Sequence, residues 1–300
     1  MTTAPQYCYL PPKTLESLKN IELVARNLAE SGLLGLHRSP YRGFSAEFAE
    51  YRKYTPGDGI RYLDWKVYAR SDRFYVKCFE EETNLRTYIV LDQSGSMGMP
   101  DLDVPMKFNY ACYLAAAFMY LMYRQHDGVG FFSYNDQVRE TADCRCTRSH
   151  LIDLLRRLEN LHPEGQSAAG SCLRRIAGQI PKRSLVLIFS DFFDAEPDFL
   201  DALQLLAFKH CEMILFQVLN ENERHFPYRG LVEFEDLETG ATMALEAESC
   251  REYFLHSLRN YNRRIKDFCD AGEITFFPLT TATPFERALA AYFAKREAMF

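Results

Sequence analysis

Asp92, Ser94 and Ser96 fall in the run Thr87-Tyr-Ile-Val-Leu-Asp-Gln-Ser-Gly-Ser-Met97. An apolar, β-branched stretch ends abruptly in Asp-x-Ser-x-Ser, with a glycine between the serines. The pattern puts three oxygen side chains on a tight loop at the C-terminal end of a buried strand. In open α/β sheets, ligand sites form at that edge. Carboxylate and hydroxyl oxygens suit a hard cation, Mg²⁺ or Mn²⁺. Two further stretches can complete such a site. Gly165-Gln-Ser167 precedes a helix expected from Ala169, which sets a hydroxyl near a helix N-terminus. Val186-Leu-Ile-Phe-Ser-Asp191 is a second apolar strand ending in an acid. In a doubly wound sheet these three loops can share one edge. The candidate metal ligands are therefore Asp92, Ser94, Ser96, Ser167 and Asp191. The plainer reading of Asp92 is an Asx-turn or a cap on the loop.

The elements that must position these residues follow from periodicity. Strands are expected at Thr87–Leu91, Gly128–Tyr134, Ser184–Ser190, Met213–Leu219 and Ile274–Pro278. Helices are expected at Met106–Arg124, Ser149–Leu161, Ala169–Gln179, Pro197–Ala207, Cys250–Ala271 and Pro284–Ala298. Strands alternating with helix-length segments argue for right-handed βαβ units and a mostly parallel sheet. Leu231–Phe234 and Ala241–Leu245 flank Glu238-Thr-Gly240 and read as an inserted β-hairpin near 231–245. Upstream, Leu15, Leu18, Ile21, Val24 and Leu28 recur at helical spacing from Thr14 to Ser31. Residues 36–86 are rich in Arg, Tyr and Gly. Pro56-Gly57-Asp58-Gly59 marks a turn, and Phe74–Phe79 reads as a strand. The expected division is 1–81, an N-terminal helix and small β-rich block packed on the main domain, and 82–300, the α/β domain itself.

Composition narrows the function classes. The 300 residues are 47% hydrophobic and 25% charged, enough for a sizeable core. The formal net charge of −6 gives nucleic-acid binding no global support. Arg61, Lys66, Arg70 and Arg73 form a basic cluster, but pairing with Glu80, Glu81, Asp58 or Asp64 is the favoured reading. Trp65, the sole tryptophan, reads as a packing residue. Nine scattered cysteines form no disulfide framework, and Cys144-Arg-Cys146 lacks zinc-knuckle spacing. The opening Met1–Gln6 carries neither a basic nor an apolar run, so a cytoplasmic, reducing location is expected. Tyr110–Tyr123 is too short to span a bilayer and reads as a helix buried against the sheet.

The order Asp-x-Ser-x-Ser, a later hydroxyl residue, then a strand-end Asp resembles the metal-ion-dependent adhesion site of von Willebrand factor A domains. The resemblance implies that Ser94, Ser96 and Ser167 ligate Mg²⁺ through hydroxyls, while Asp92 and Asp191 hold it directly or through waters. The family more often has Thr at the position of Ser167, so a methyl that stiffens the rotamer is lost here. The upstream block is more specific. Ser39-Pro-Tyr-Arg-Gly43, Tyr51-Arg-Lys-Tyr-Thr-Pro-Gly-Asp58, Ile60-Arg-Tyr-Leu-Asp-Trp-Lys66, Ala69-Arg70 and Tyr75-Val-Lys77 through Glu81 resemble the bacterial family called domain of unknown function 58. Phe226–Gly240 is similar to a later segment of that family. The resemblance runs from about residue 15 to 296. It implies a von Willebrand factor A-like, Rossmann-like domain. It also implies an adaptor or chaperone-like role beside a MoxR-type AAA+ ATPase, or toward that ATPase's client.

Enzyme readings find less support. No Gly-x-x-x-x-Gly-Lys-Ser/Thr loop is present to bind ATP, and neither serine sits in Gly-x-Ser-x-Gly. A phosphatase using Asp92 as nucleophile would want an acid where Ser94 stands. The expected function is metal-dependent protein–protein interaction. The alternatives are a metal-dependent hydrolase acting on phosphate or ester substrates, and a scaffold whose site is vacant.

Overall fold

The computed structural model describes residues 46–53, 67–68, 74–81, 85–99, 106–193, 197–285 and 289. One compact unit lies within His37–Leu85, and the larger one carries Arg86–Phe300. In the smaller unit, β1 (Ala46–Lys53) pairs antiparallel with β2 (Tyr75–Glu81). The expected strand at Phe74–Phe79 is thus present, shifted by a residue or two. The helix expected over Thr14–Ser31, the turn at 56–59, Trp65, the basic cluster and the final helix over Pro284–Ala298 lie wholly or mainly outside the described residues.

The larger unit is built on six strands. They are β3 (Arg86–Asp92), β4 (Gly128–Tyr134), β5 (Val138–Arg145), β6 (Leu185–Ser190), β7 (Glu212–Leu219) and β10 (Thr275–Thr280), in the spatial order β10-β7-β6-β3-β4-β5. All neighbours are parallel except β4 and β5. The first strand is central and the order reverses there, between β3 and β6. That is the topological switch point of a doubly wound sheet, where crevices open at the strands' C-terminal ends. The expected fold class is the one observed. Strand β5 was not anticipated. Its sequence, Val-Arg-Glu-Thr-Ala-Asp-Cys-Arg, is polar because it is an edge strand with only Ala142 buried.

Helices cover both faces. Helix α1 (Lys107–Arg124) is rich in Ala, Leu and Met and buried on nearly every side. Its Phe118 ring meets Phe189 of β6 and Phe216 of β7 at centroid distances of 6.3 and 5.3 Å. Helix α2 (Arg148–Asn160) starts at Thr147, whose hydroxyl accepts the His150 N–H, and buries Leu151, Leu154, Leu155 and Leu158. The opposite face of the sheet carries α3 (Ala169–Gln179), α4 (Pro197–Phe208) and α6 (Ala247–Ala271). There Leu173, Ile176, Phe199, Leu203 and Ile265 pack on Val90, Val186, Ile188 and Leu215. A short α5 (Glu221–His225) follows β7, and the expected insertion is the antiparallel hairpin β8 (Leu231–Glu235) and β9 (Thr242–Glu246). No helix among the described residues is long and apolar enough to cross a membrane.

Candidate metal site

Strand register brings the two acids to one edge. Leu91 of β3 is level with Phe189 of β6, so Asp92 and Ser190 are the next pair along, and Asp92 is level with Tyr134 of β4. Side chains alternate between faces. Asp92 therefore shares the face of Val90, as Ser190 shares that of Ile188. The Ser190 hydroxyl donates to Asp92 Oδ2 at 2.7 Å, and the Tyr134 phenol donates to the same oxygen at 3.3 Å. The other oxygen, Oδ1, accepts the Ser94 N–H at 2.9 Å, so the expected Asx-turn is present as well. Asp92 is only 2% exposed. Burial pushes its carboxyl up to about 6, and the nearby Asp191 charge adds to the rise, against the hydrogen bonds from Ser190 and Ser94.

The serine loop turns away in a single 3₁₀ turn, Gly95–Gly98. Ser94 Oγ and Ser96 Oγ lie 3.1 Å apart. The Ser167 loop is laced to this turn by backbone bonds. Gly95 N–H donates to Gly165 O at 2.8 Å, and Glu164 N–H donates to Gln93 O at 2.9 Å. Buried Asn135 braces the same loop through Glu164 O and the Ala168 N–H. The loop that carries Ser167 therefore lies against the loop that carries Ser94 and Ser96. Its own hydroxyl is buried and has no hydrogen-bond partner. A buried hydroxyl without a partner is costly. Such an oxygen, on a loop bonded to the one that carries Ser94 and Ser96, has the chemistry of a hard-cation ligand.

Asp191, whose charge is felt by Asp92, has partners that the sequence did not advertise. Lys107, at the first turn of α1, is fully buried and donates to Asp191 Oδ2 at 2.8 Å and to Glu223 Oε1 at 2.7 Å. Burial alone would lower its pKa, but the two carboxylates outweigh that and raise it above the ordinary 10.5. Glu223 is raised, chiefly by burial, despite Lys107. The second Glu223 oxygen accepts the Asn220 N–H at 2.8 Å in a capping box that starts α5. Asp191 Oδ1 accepts the Phe193 N–H at 3.2 Å, and Gln217 reaches the Asp191 carbonyl at 3.1 Å. Among the described residues, no three His, Cys, Asp or Glu side chains converge as a metal centre would.

Sequence reasoning missed Lys107, Ser190, Tyr134 and Glu223. Ser190 carried a usable signal, since it directly precedes Asp191 and shares a face with Asp92's neighbours. Lys107 carried a weaker one, a lone charge opening an apolar helix.

The model of the family described as protein of unknown function DUF58 matches residues 50–264. The chain belongs to this family. The DUF58 chain is 27% identical over 232 residues to the uncharacterized protein Rv1480 of Mycobacterium tuberculosis, covering 76% of this chain and 72% of that one. Among solved structures, it is similar to an aerotolerance-related membrane protein from Bacteroides fragilis, with a TM-score of 0.50, 16% identity, and coverage of 72% and 100%. It is also similar to the SpRpn10 VWA domain, with a TM-score of 0.41, 11% identity, and coverage of 70% and 95%. The first of these likenesses speaks for the fold. The order of strands, with one antiparallel edge strand on an otherwise parallel sheet, is that of a doubly wound α/β fold.

Proposed function

We propose that this DUF58 protein is a metal-dependent protein-interaction module. Mg²⁺ or Mn²⁺ would be held by Asp92, Ser94, Ser96, Ser167 and Asp191. The observation that carries this reading is the buried, unpartnered Ser167 hydroxyl on a loop hydrogen-bonded to the Asp92–Ser96 loop. Charge supports it. Asp92 and Asp191 are both buried, Lys107 pairs with Asp191 and with the half-buried Glu223, and a divalent cation would offset the negative charge that remains. The bound ion would supply an electrophilic point for a partner's carboxylate, because neutral hydroxyls among its ligands leave it under-neutralised.

Binding is favoured over turnover because both Asp92 oxygens already accept hydrogen bonds, which leaves that carboxylate poorly placed as a nucleophile. The partner we propose is a MoxR-type AAA+ ATPase or its client, on the family resemblance. A reducing cytoplasm agrees with the described cysteines, all free. Co-precipitation with the ATPase, in Mg²⁺ and in EDTA, with wild type and Asp92→Ala, tests the reading. Association should need both the ion and Asp92. Equal capture under all four conditions removes the metal from the mechanism. Hydrolysis of phosphate or ester substrates lost with Asp92→Ala would favour the hydrolase.

A further inference from the structure

A cleft of about 380 Å³ opens at the C-terminal ends of β7 and β10, where Leu219 and Thr280 close those strands. Leu255, Leu258, Arg259 and Asn262 line it at positions i, i+3, i+4 and i+7, so one stripe of α6 forms a wall. The last turn of α5 forms another. Ligand sites of open α/β sheets sit at this end of the strands, and pockets for small molecules begin at about 300 Å³. None of the lining residues belongs to the candidate metal site.

The lining divides into an apolar and a basic part. Leu219, Leu258 and Leu279 are buried and supply aliphatic surface. Arg224 and Arg259 line the same space, and among the described residues no acid does. The chain as a whole carries a net charge of −6, so the cleft reverses the sign locally. Elsewhere, Arg139, Arg157 and Arg174 pair with acids, and Arg251 is taken up by two backbone carbonyls. The guanidinium groups of Arg224 and Arg259 have no such partner among the described residues. His225 also lines the cleft but faces Glu221 at 3.1 Å, so the unbalanced charge rests on the two arginines.

Asn262 adds a fixed donor. Its Oδ1 accepts a hydrogen bond from Gln217 Nε2 at 2.9 Å, and fully buried Gln217 is itself held by the Asp191 carbonyl. With that oxygen engaged, the Nδ2 hydrogens are what Asn262 has left for a ligand. Guanidinium forks bind carboxylate and phosphate oxygens in pairs of charge-assisted hydrogen bonds. We propose that this cleft is a second binding site, for a small organic anion: a carboxylate or phosphate held by Arg224, Arg259 and Asn262, on a compact apolar body that packs on the leucines.

Titration of the full chain with phenyl phosphate, phenylacetate and neutral phenylacetamide, read by ligand-detected NMR, tests the proposal. Both anions should bind, the tighter one naming the oxyanion, and the amide should bind at least about tenfold more weakly. Arg224→Gln and Arg259→Gln should each weaken the anions about tenfold. Arg263→Gln, on an exposed position of α6 outside the cleft, should change nothing. All three positions are exposed, so the variants should melt like wild type. Equal binding of the amide and the anions would make the cleft an apolar hollow without anion recognition. Equal weakening by all three variants would reduce the effect to general charge. Failure of wild type to bind either anion would remove the site. Each of these three results overturns the proposal, and none of them bears on the metal reading.

Discussion

Lys107 and Asp191 form a buried ion pair, Nζ to Oδ2 at 2.8 Å, which ties the start of α1 to the end of β6. The same ammonium holds Glu223 at 2.7 Å, so a single cation secures both β6 and the helix after β7. Lys107→Met would leave the buried Asp191 and the half-buried Glu223 without it. The expected loss is about 3–5 kcal/mol, read by chemical denaturation. The pH dependence follows. Lys107's folded pKa stands above its ordinary 10.5, so the stability it contributes is full below 10.5 and is lost as pH rises through the folded value. Burial also raises Cys112 above its ordinary 9.0 and Tyr88 to about 12, which adds loss above pH 9 and 10 respectively. Melts from about pH 7 to about pH 11 should show stability falling above 9, and Lys107→Met should retain only the thiol and phenol share.

That cation also marks the limit of what the chain displays as text. Asp92 and Asp191 were legible because each ends an apolar strand, and strand ends share one edge in a parallel sheet. Ser167 was legible as a hydroxyl opening a helix. The contacts that set their chemistry run between elements distant in sequence, Lys107 to Asp191 over 84 residues and Ser167 to Glu238 over 71. No local period encodes such pairs. Glu238 was read only as part of a turn, because hairpin chemistry says where a chain reverses and not what its tip touches. Strand β5 was hidden for the opposite reason, since an edge strand needs few apolar residues. Arg86–Asp92, Gly128–Tyr134 and Ala169–Gln179 were found to within a residue because burial on one face or both forces their pattern.

Ser190→Ala should weaken both the fold and the site. Its hydroxyl donates to Asp92 Oδ2 and accepts the Phe192 N–H at 2.9 Å. Removal leaves a buried carboxylate oxygen with only the longer Tyr134 bond. A stability loss of about 1–3 kcal/mol is expected in denaturant, with Mn²⁺ affinity down about tenfold by calorimetry. Unchanged affinity would show that Asp92 needs no such positioning.

Two glycines separate close approach from mere permissiveness. Gly95→Ala drives a methyl into Leu237 O, so it should cost about 1–3 kcal/mol and speed hydrogen exchange at the hairpin tip. Gly178, exposed near the end of α3, has nothing within 4 Å of a built Cβ. Gly178→Ala should stabilise by up to about 1 kcal/mol and leave the tip alone. Equal tip exchange in the two variants would detach the hairpin from the serine loop.

Ser167 offers the sharpest separation of structural from metal-binding roles, because the two predict opposite signs. Its hydroxyl is buried and unpartnered, so Ser167→Ala removes a polar group that gains nothing in the metal-free fold. The metal-free variant should be as stable as wild type, or more stable by about 1 kcal/mol. The backbone N–H that holds Glu238 is untouched. If the hydroxyl is a ligand, the same variant loses Mg²⁺ and Mn²⁺ affinity, while Ser167→Thr keeps an oxygen in place and retains it. Added Mg²⁺ should then raise the melting temperature of wild type and Ser167→Thr but not of Ser167→Ala, since a ligand stabilises only the state that binds it. A metal-induced shift of the same size in all three would remove Ser167 from the site and leave its buried oxygen without a role.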